Sequence, residues 1–396
     1  MKTYWSLGLC LLLCLANSAV GATAIHPQSN IPTSGRFLAE LSDPAAFANG
    51  FFVSISGNTV VVGGLDNFVD LYVEPPSGWT NMSSPTAQLT CSDALECTAV
   101  GVDGNTVVAV GSTGFGNGIF AVYVFVEPTG GWTNMTETAK LSDSDSSQVF
   151  GGVAISGNTV AVVGDASIPQ ARIDIFEKPA GGWTNMTQSA MLTAANGDYF
   201  DAVAISGTTV VAGAPQYLTN GNGAAYVYVE PPSGWSNMTE TAKLTSTDGA
   251  QFGELGYAVA IGSSAAAIVV SAQVNQHGVG AAYVYEEPAT GWTNMTQTAE
   301  LTENPGILKS FGDSVAVNKG IVMVGSFEEG SVPDQGYVYL YVMPNSGWRN
   351  ATQTTRFTCP KSTGCNEFGY SLSISGKTVA VGAPGQGSGE ALVYGP

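Results

Sequence analysis

Charge is scarce in this chain: 11% of its 396 residues are Asp, Glu, Lys or Arg, against 44% apolar side chains. That balance excludes coiled coils and long solvated helices, and the apolar content excludes disorder. Histidine is scarcer still. His26 and His277 are the only two, so neither a histidine-based triad nor a histidine cluster for a metal can be assembled. Basic residues number 12 against 31 acidic ones, for a formal net charge of −19. A polyanion without a basic patch repels nucleic acid, so no nucleic-acid partner is expected. Long hydrophobic runs are missing beyond the first twenty residues, so no transmembrane segment is expected, and residues 390–396 carry no GPI-type tail.

The start of the chain reads as a leader. Lys2 gives a basic n-region, residues 7–15 an apolar run too short to span a bilayer, and Ala19 and Gly21 the small residues before a cut. Residues 1–21 are therefore expected to be a signal peptide, 22–36 an N-terminal lead, and 37–396 one folded unit that is secreted, extracellular or bound at the cell surface. Cys10 and Cys14 leave with the leader. Of the remaining cysteines, Cys91 and Cys97 enclose five residues and Cys359 and Cys365 also enclose five. In an oxidising compartment these read as two local disulfides, each contributing on the order of 2 kcal/mol. A zinc site is disfavoured, because no histidine lies beside either pair.

Glycine is abundant, and it recurs in register. A Gly-Trp pair places Trp79, Trp132, Trp183, Trp235, Trp292 and Trp348 at spacings of 53, 51, 52, 57 and 56 residues. Before each Trp comes an aromatic-aliphatic run ending in Pro or its equivalent; after it comes an alternating segment such as Ala242-Lys243-Leu244-Thr245. Upstream lie two short apolar runs joined by Ser-Gly-Asn, as in residues 153–164, a hairpin signal. Each unit reads as four strands, the fourth continuous through Met135, Ala139 and Leu141 on one face and Asn134, Thr136 and Lys140 on the other. The uninterrupted apolarity of the inner hairpin predicts strands covered on both faces.

Repeats of about fifty residues and four strands predict an all-β propeller. The inner hairpin occurs seven times, near Val53, Val100, Val153, Val203, Val259, Val315 and Leu372, but the Gly-Trp turn six times. The sequence ends on a third strand near Glu390 to Tyr394 and begins with a lone fourth strand whose AELSD resembles the AKLSD at Ala139 to Asp143. The fold expected is a seven-bladed β-propeller of four-stranded antiparallel blades, closed by the N-terminal strand completing the last blade.

Phe252-Gly253, Phe311-Gly312 and Phe368-Gly369, with Gly213-Ala214-Pro215 and Gly382-Ala383-Pro384, resemble FG-GAP repeats, the blade motif of the seven-bladed propeller of integrin α chains. The likeness spans most of the chain, with degenerate copies: Phe200 precedes Asp201, Val163-Gly164 precedes Asp165, and the second blade has Cys97-Thr98. The resemblance implies an extracellular module that engages partners through one loop face. It also implies calcium in some blades, where Asp/Asn-rich loops join the first two strands. Here those turns are only Ser56-Gly57-Asn58, Asp103-Gly104-Asn105 and their kin, too short and too poor in carboxylates to wrap an ion. No metal and no cofactor is expected.

Each Gly-Trp turn is followed by a glycosylation sequon, at Asn81, Asn134, Asn185, Asn237, Asn294 and Asn350. Six sequons at one position of an exported repeat predict N-linked glycans on an exposed outer strand; the competing reading is that Asn and Thr merely suit an edge turn. The repeated Trp is expected to fill the groove between blades, with sugar stacking as its rival. The face carrying the connections from second to third strand and from fourth strand to next blade is the variable one. Asp143, Asp145, Asp198, Asp201, Asp248, Glu303 and Asp313 lie there as the candidate ligand face. No carboxylate pair is singled out as catalytic, so no enzyme is expected. The reading is an extracellular recognition or adhesion module for a protein or glycan ligand. Its alternatives are a carbohydrate-binding propeller or carboxylate-based glycosidase, and a structural glycoprotein of a wall or appendage.

Overall fold

The structure is a computed structural model. It describes residues 35–47, 49–113, 120–144, 149–164, 172–215, 221–248, 254–263, 266–272, 280–303, 311–327, 336–360, 365–385 and 388–395. The leader, both histidines, Asp145 and Phe252-Gly253 lie outside them.

Seven antiparallel sheets stand around an axis, blades 1 to 6 over residues 52–90, 96–142, 149–193, 202–245, 259–302 and 314–357. Blade 7 takes three strands from residues 372–395 and its outer strand from Arg36–Leu41. That strand pairs antiparallel with Glu390–Gly395, Glu40 opposite Leu392 and Leu41 opposite Ala391, with a bulge at Leu38. The innermost strand of each blade touches that of the next, and blade 7 touches blade 1, so the ring closes.

Local chemistry explains the hairpins. Ser56 pairs with Thr59, which leaves Gly57 and Asn58 as a two-residue loop with Gly57 at φ 58°. Gly157, Gly207 and Gly376 repeat this at φ 56–60°, the first central position of a type II′ turn, which glycine fills without steric cost. Side chains then tie successive turns together. Ser56 Oγ accepts from Gly104 N–H at 3.1 Å and Ser156 Oγ from Gly207 N–H at 3.0 Å. Ser375 Oγ accepts from Gly57 N–H at 3.0 Å, which carries the belt across the closure.

Two sequence expectations need correction. The outer strand is not continuous: Met135–Thr136 and Ala139–Ser142 are separate strands. Met135–Thr136 leaves its own blade and pairs parallel with Leu89 and Thr90 of blade 1. The same stitch joins blade 3 to 2, 4 to 3, 5 to 4 and 6 to 5, giving five-stranded sheets. A parallel bridge from Met82 to Leu41 ties blade 1 to the N-terminal strand. The first strands, secondly, are not all covered on both faces, although Ser314–Asn318 of blade 6 is buried throughout. Thr209–Ala214 is buried throughout, whereas Ala202–Ser206 is partly exposed along its length, because seven blades leave an axial channel lined by Gly101, Ala154, Ala204, Ala260 and Ala316.

Blades pack through tryptophan and glycine. The six indoles of the Gly-Trp turns are 5–8% exposed. Trp132 shares a cluster with Leu71 and Leu89 of blade 1 and Tyr123 and Phe125 of its own blade, so it fills the groove between blades as expected. On the second strands, a Cβ on Gly213 would collide with the Gly256 carbonyl oxygen, and one on Gly382 with that of Gly50. Backbone thus lies on backbone between blades, at sites only glycine permits.

Candidate functional site

The variable-loop face is built by a repeated pairing. Equivalent register positions of the seven third strands hold Asp70, Tyr123, Asp174, Tyr226, Tyr283, Tyr339 and Leu392. From four of them a tyrosine side chain reaches the loop that follows the outer strand of the preceding blade. Tyr123 Oη donates to Asp93 at 2.6 Å, Tyr283 Oη to Asp248 at 2.5 Å and Tyr339 Oη to Glu303 at 3.2 Å. Tyr226 Oη donates to Asp198 and, at 3.0 Å, to Asn196. Burial first, and then the adjoining carboxylate, push the hydroxyls of Tyr123, Tyr226 and Tyr283 far above their ordinary range, so they remain donors. Hydrogen bonds from Lys140 and Tyr123 hold the Asp93 carboxyl below its usual value.

Where the repeat has no tyrosine, other polar groups complete the joint. In blade 3, Arg172 donates to Asp174 at 2.9 Å and pairs with Asp143, which also accepts from Gln188 at 3.1 Å. In blade 1 the joint is acidic on both sides. Asn49 Nδ2 donates to Asp70 at 2.6 Å, and Gln88 Nε2 spans Asp43 at 2.9 Å and Asp70 at 3.3 Å. Burial pushes the Asp70 carboxyl up to about 6, against the hydrogen bond from Asn49.

The acidic residues read from the sequence therefore sit as follows. Asp143, Asp198, Asp248 and Glu303 are partners of the neighbouring blade's Arg or Tyr, and Glu303 is buried while Asp143 is half-buried. Asp313 accepts from Phe327 N–H at 3.3 Å, and Asp201 N–H donates to the Gly213 carbonyl at 2.9 Å. Asp145 lies outside the described residues. Among the described residues no group of three His, Cys, Asp or Glu converges as a metal site. Cys91 bonds to Cys97 and Cys359 to Cys365, each closing a loop between blades on this face.

One surface feature escaped the sequence reading. Among the described residues the exposed large hydrophobics are Phe47, Leu65, Leu95 and Tyr257, and three of these gather around blade 1. Leu65 N–H donates to the Phe47 carbonyl at 3.2 Å, Phe47 N–H to Asp66 at 2.5 Å, and Cys97 N–H to the Asp66 carbonyl at 2.6 Å. Leu95 lies within the Cys91–Cys97 loop. Phe47 and Leu95 are 59% and 51% exposed, with Asp66 and Glu96 beside them. Single apolar residues in three separate loops carry no periodic signal, and only the fold joins them.

The six sequon asparagines are exposed, and their side chains hold blades together. Asn134 Oδ1 accepts from Gln88 N–H at 2.9 Å, Asn185 Oδ1 from Lys140 N–H at 2.8 Å and Asn294 Oδ1 from Lys243 N–H at 2.8 Å. Asn81, Asn237 and Asn350 do the same for Glu40, Met191 and Glu300. The acceptor in each is the carbonyl oxygen, so Nδ2, the atom a glycan would use, takes no part in these bonds.

The FG-GAP repeat family model matches residues 186–228 and 238–285. Each match begins at a stitching strand and ends in the third strand of the following blade, which is the repeat register seen in the ring. The chain is an FG-GAP repeat β-propeller. The Phe-Gly of this family does the interblade packing described above: Gly312 and Gly369 sit at φ 104° and 95°, with Phe311 and Phe368 fully buried beneath them. In blade 5 that position belongs to Leu255-Gly256, with Gly256 at φ 106°. No curated protein sequence matches the chain. Among solved structures, the computationally designed Ika8 protein aligns at TM-score 0.49 and 17% identity over 91% of this chain and 100% of its own. Kluyvelomyces marxianus Hsv2 aligns at TM-score 0.50 and 10% identity over 89% of this chain and 88% of its own. The latter likeness is one of fold alone.

Proposed function

We propose that this FG-GAP propeller is a secreted or cell-surface glycoprotein that recognises an extracellular protein or glycan through its variable-loop face, with Phe47, Leu65 and Leu95 at the centre of contact. The observation that supports the reading is that these three exposed apolar residues lie on loops joined by backbone hydrogen bonds, one of the loops closed by a disulfide. Exposed apolar residues grouped beside acidic ones mark interaction surfaces rather than ordinary exterior. The leader, the two disulfides and the exposed sequons support an extracellular location and N-glycosylation. Because the loop carboxylates are engaged by tyrosine, arginine and glutamine, the reading is one of binding without catalysis.

The test is binding of the labelled, secreted protein to extracellular matrix and to cell surfaces, with Phe47→Ser/Leu95→Ser beside the parent. The expected result is a loss of about tenfold or more in affinity with an unchanged melting temperature. Equal binding by a folded double variant, or turnover of any chromogenic glycoside in a broad panel, would contradict the reading.

A further inference from the structure

The hairpin-turn face, opposite the variable loops, is divided by charge. The residue after each third strand is tied to the hairpin turn of its own blade: Glu74 N–H donates to the Asn58 carbonyl, Glu127 to Asn105, Glu230 to Thr208 and Glu287 to Ala266, at 2.8–3.0 Å. Blade 3 has Lys178 there, directly after Glu177. Blades 1 to 5 therefore line this face with carboxylates. Blade 6 departs from the pattern, since Met343 makes the bond to the Gly320 carbonyl at 2.8 Å. No Asp or Glu occurs in residues 35–39, 315–324, 338–352, 372–381 or 391–395, which build this face in blades 6 and 7.

Those segments carry Arg36, Lys319, Arg349 and Lys377, all exposed. Among the described residues none of the four is in an ion pair, whereas Lys140, Arg172 and Lys243 each meet a carboxylate on the variable-loop side. No basic run announces this patch in the sequence; the ring assembles it. Asn318 Nδ2 donates to the Gly376 carbonyl at 3.2 Å, joining the Lys319 and Lys377 turns. The Met343 bond ties the Lys319 turn to the Gly-Trp turn that bears Arg349. Arg36 pairs with Gly395, which adjoins Lys377 at the base of blade 7. Lys319 stands at φ 44°, where Gly57, Gly157, Gly207 and Gly376 stand at 56–60°, so a lysine is kept at a backbone position that favours glycine.

We infer that this basic strip across blades 6 and 7 binds a linear anionic glycan, its sulfate or carboxylate groups set against the four cations. Lys319 and the Lys377 turn stand at the mouth of the axial channel and Arg36 and Arg349 toward the rim, so the strip runs radially. A broad anionic partner, such as a membrane or an acidic protein, would meet the carboxylates of blades 1 to 5 at the same time. A thin chain lies on the strip alone, within the short range of screened charges. A second copy offers a complementary acidic arc, but the exposed sequon asparagines follow the Gly-Trp turns of this same face, and glycans there hold such a copy off. The choice of a glycan rests on the extracellular location proposed above; the strip itself is independent of the Phe47 patch.

The probes are fluorescein-labelled heparin and hyaluronan oligosaccharides, titrated by anisotropy against the secreted protein at low and high salt. Saturable binding of at least one is expected, weakening with salt, and hyaluronan binding marks recognition of carboxylate without sulfate. The variant Arg36→Gln/Lys319→Gly/Arg349→Thr/Lys377→Asn places at its last three sites residues that other repeats carry there. It should lose about tenfold or more in affinity with an unchanged melting temperature. Lys178→Gln, within the acidic arc, should bind as the parent does. Absence of saturable binding, equal binding by the folded quadruple variant, or an equal loss with Lys178→Gln would overturn the proposal. So would stronger binding to phosphatidylserine vesicles than to either oligosaccharide. A low-salt dimer that the quadruple variant abolishes and that excludes both probes would likewise overturn it, by assigning the strip to a second copy.

Discussion

At the scale of single residues, glycine decides two different things. Gly157 needs freedom of φ, at 58°, and has open space where a Cβ would stand. Gly213 needs absence of bulk, because the Gly256 carbonyl occupies that space. Gly157→Ala should therefore cost about 1–2 kcal/mol, the left-handed penalty alone. Gly213→Ala should cost about 3 kcal/mol or more, because two blades must part. Urea unfolding of the two variants separates these costs. The repeats reveal that glycine recurs, but only the ring shows which carbonyl each one admits.

Asp70 is one of three members of the seven-residue column, with Asp174 and Leu392, that are not tyrosine. Its carboxyl, raised to about 6 in the folded chain against 3.8 in the open one, binds its proton more tightly when folded. Stability contributed by that proton is present below pH 4, declines as pH rises toward 6 and is gone above it. Asp70→Asn should flatten the melting temperature between those values, by up to about 3 kcal/mol of pH-linked stability. A melting profile of the variant as steep as the parent's would refute this.

Among the elements, the two-residue stitch was hidden. Met135, Ala139 and Leu141 keep one parity across the break at Glu137-Thr138, so alternation alone runs them into a single strand. Parallel pairing with a neighbouring blade leaves no local trace. The hairpins and the Gly-Trp period were plain because turn chemistry and spacing are local.

The stitch also separates two roles of the sequon. Thr136→Ala removes the acceptor site but keeps the Asn134 bond to Gln88 N–H, whereas Asn134→Ala removes both. Both variants should lose one glycan by mass; only Asn134→Ala should lose about 1 kcal/mol when compared after enzymatic deglycosylation. Trp235→Ala, which empties a seam between blades 3 and 4, should cost about 3–5 kcal/mol by denaturant titration.

The whole molecule is a ring whose last sheet is shared between the two ends of the chain. Blade count and closure were legible because seven hairpins faced six Gly-Trp turns, and the missing outer strand stood at the N-terminal end. Closure abolishes the open edges of a linear stack and is secured three ways: the Arg36–Leu41 ladder, the Met82 stitch and the Ser375-to-Gly57 belt. The exposed group of Phe47, Leu65 and Leu95 was not legible, since it comes from three separate loops joined only in three dimensions.

Hydrogen exchange followed by mass spectrometry tests this closure most directly. Amides of Ala39 and Leu41 should be protected together with those of Leu392 and Val393, to the level of the inner strands. Rapid, coil-like exchange over Arg36–Leu41 while the rest of the ring stays protected would contradict a propeller closed by its own two ends.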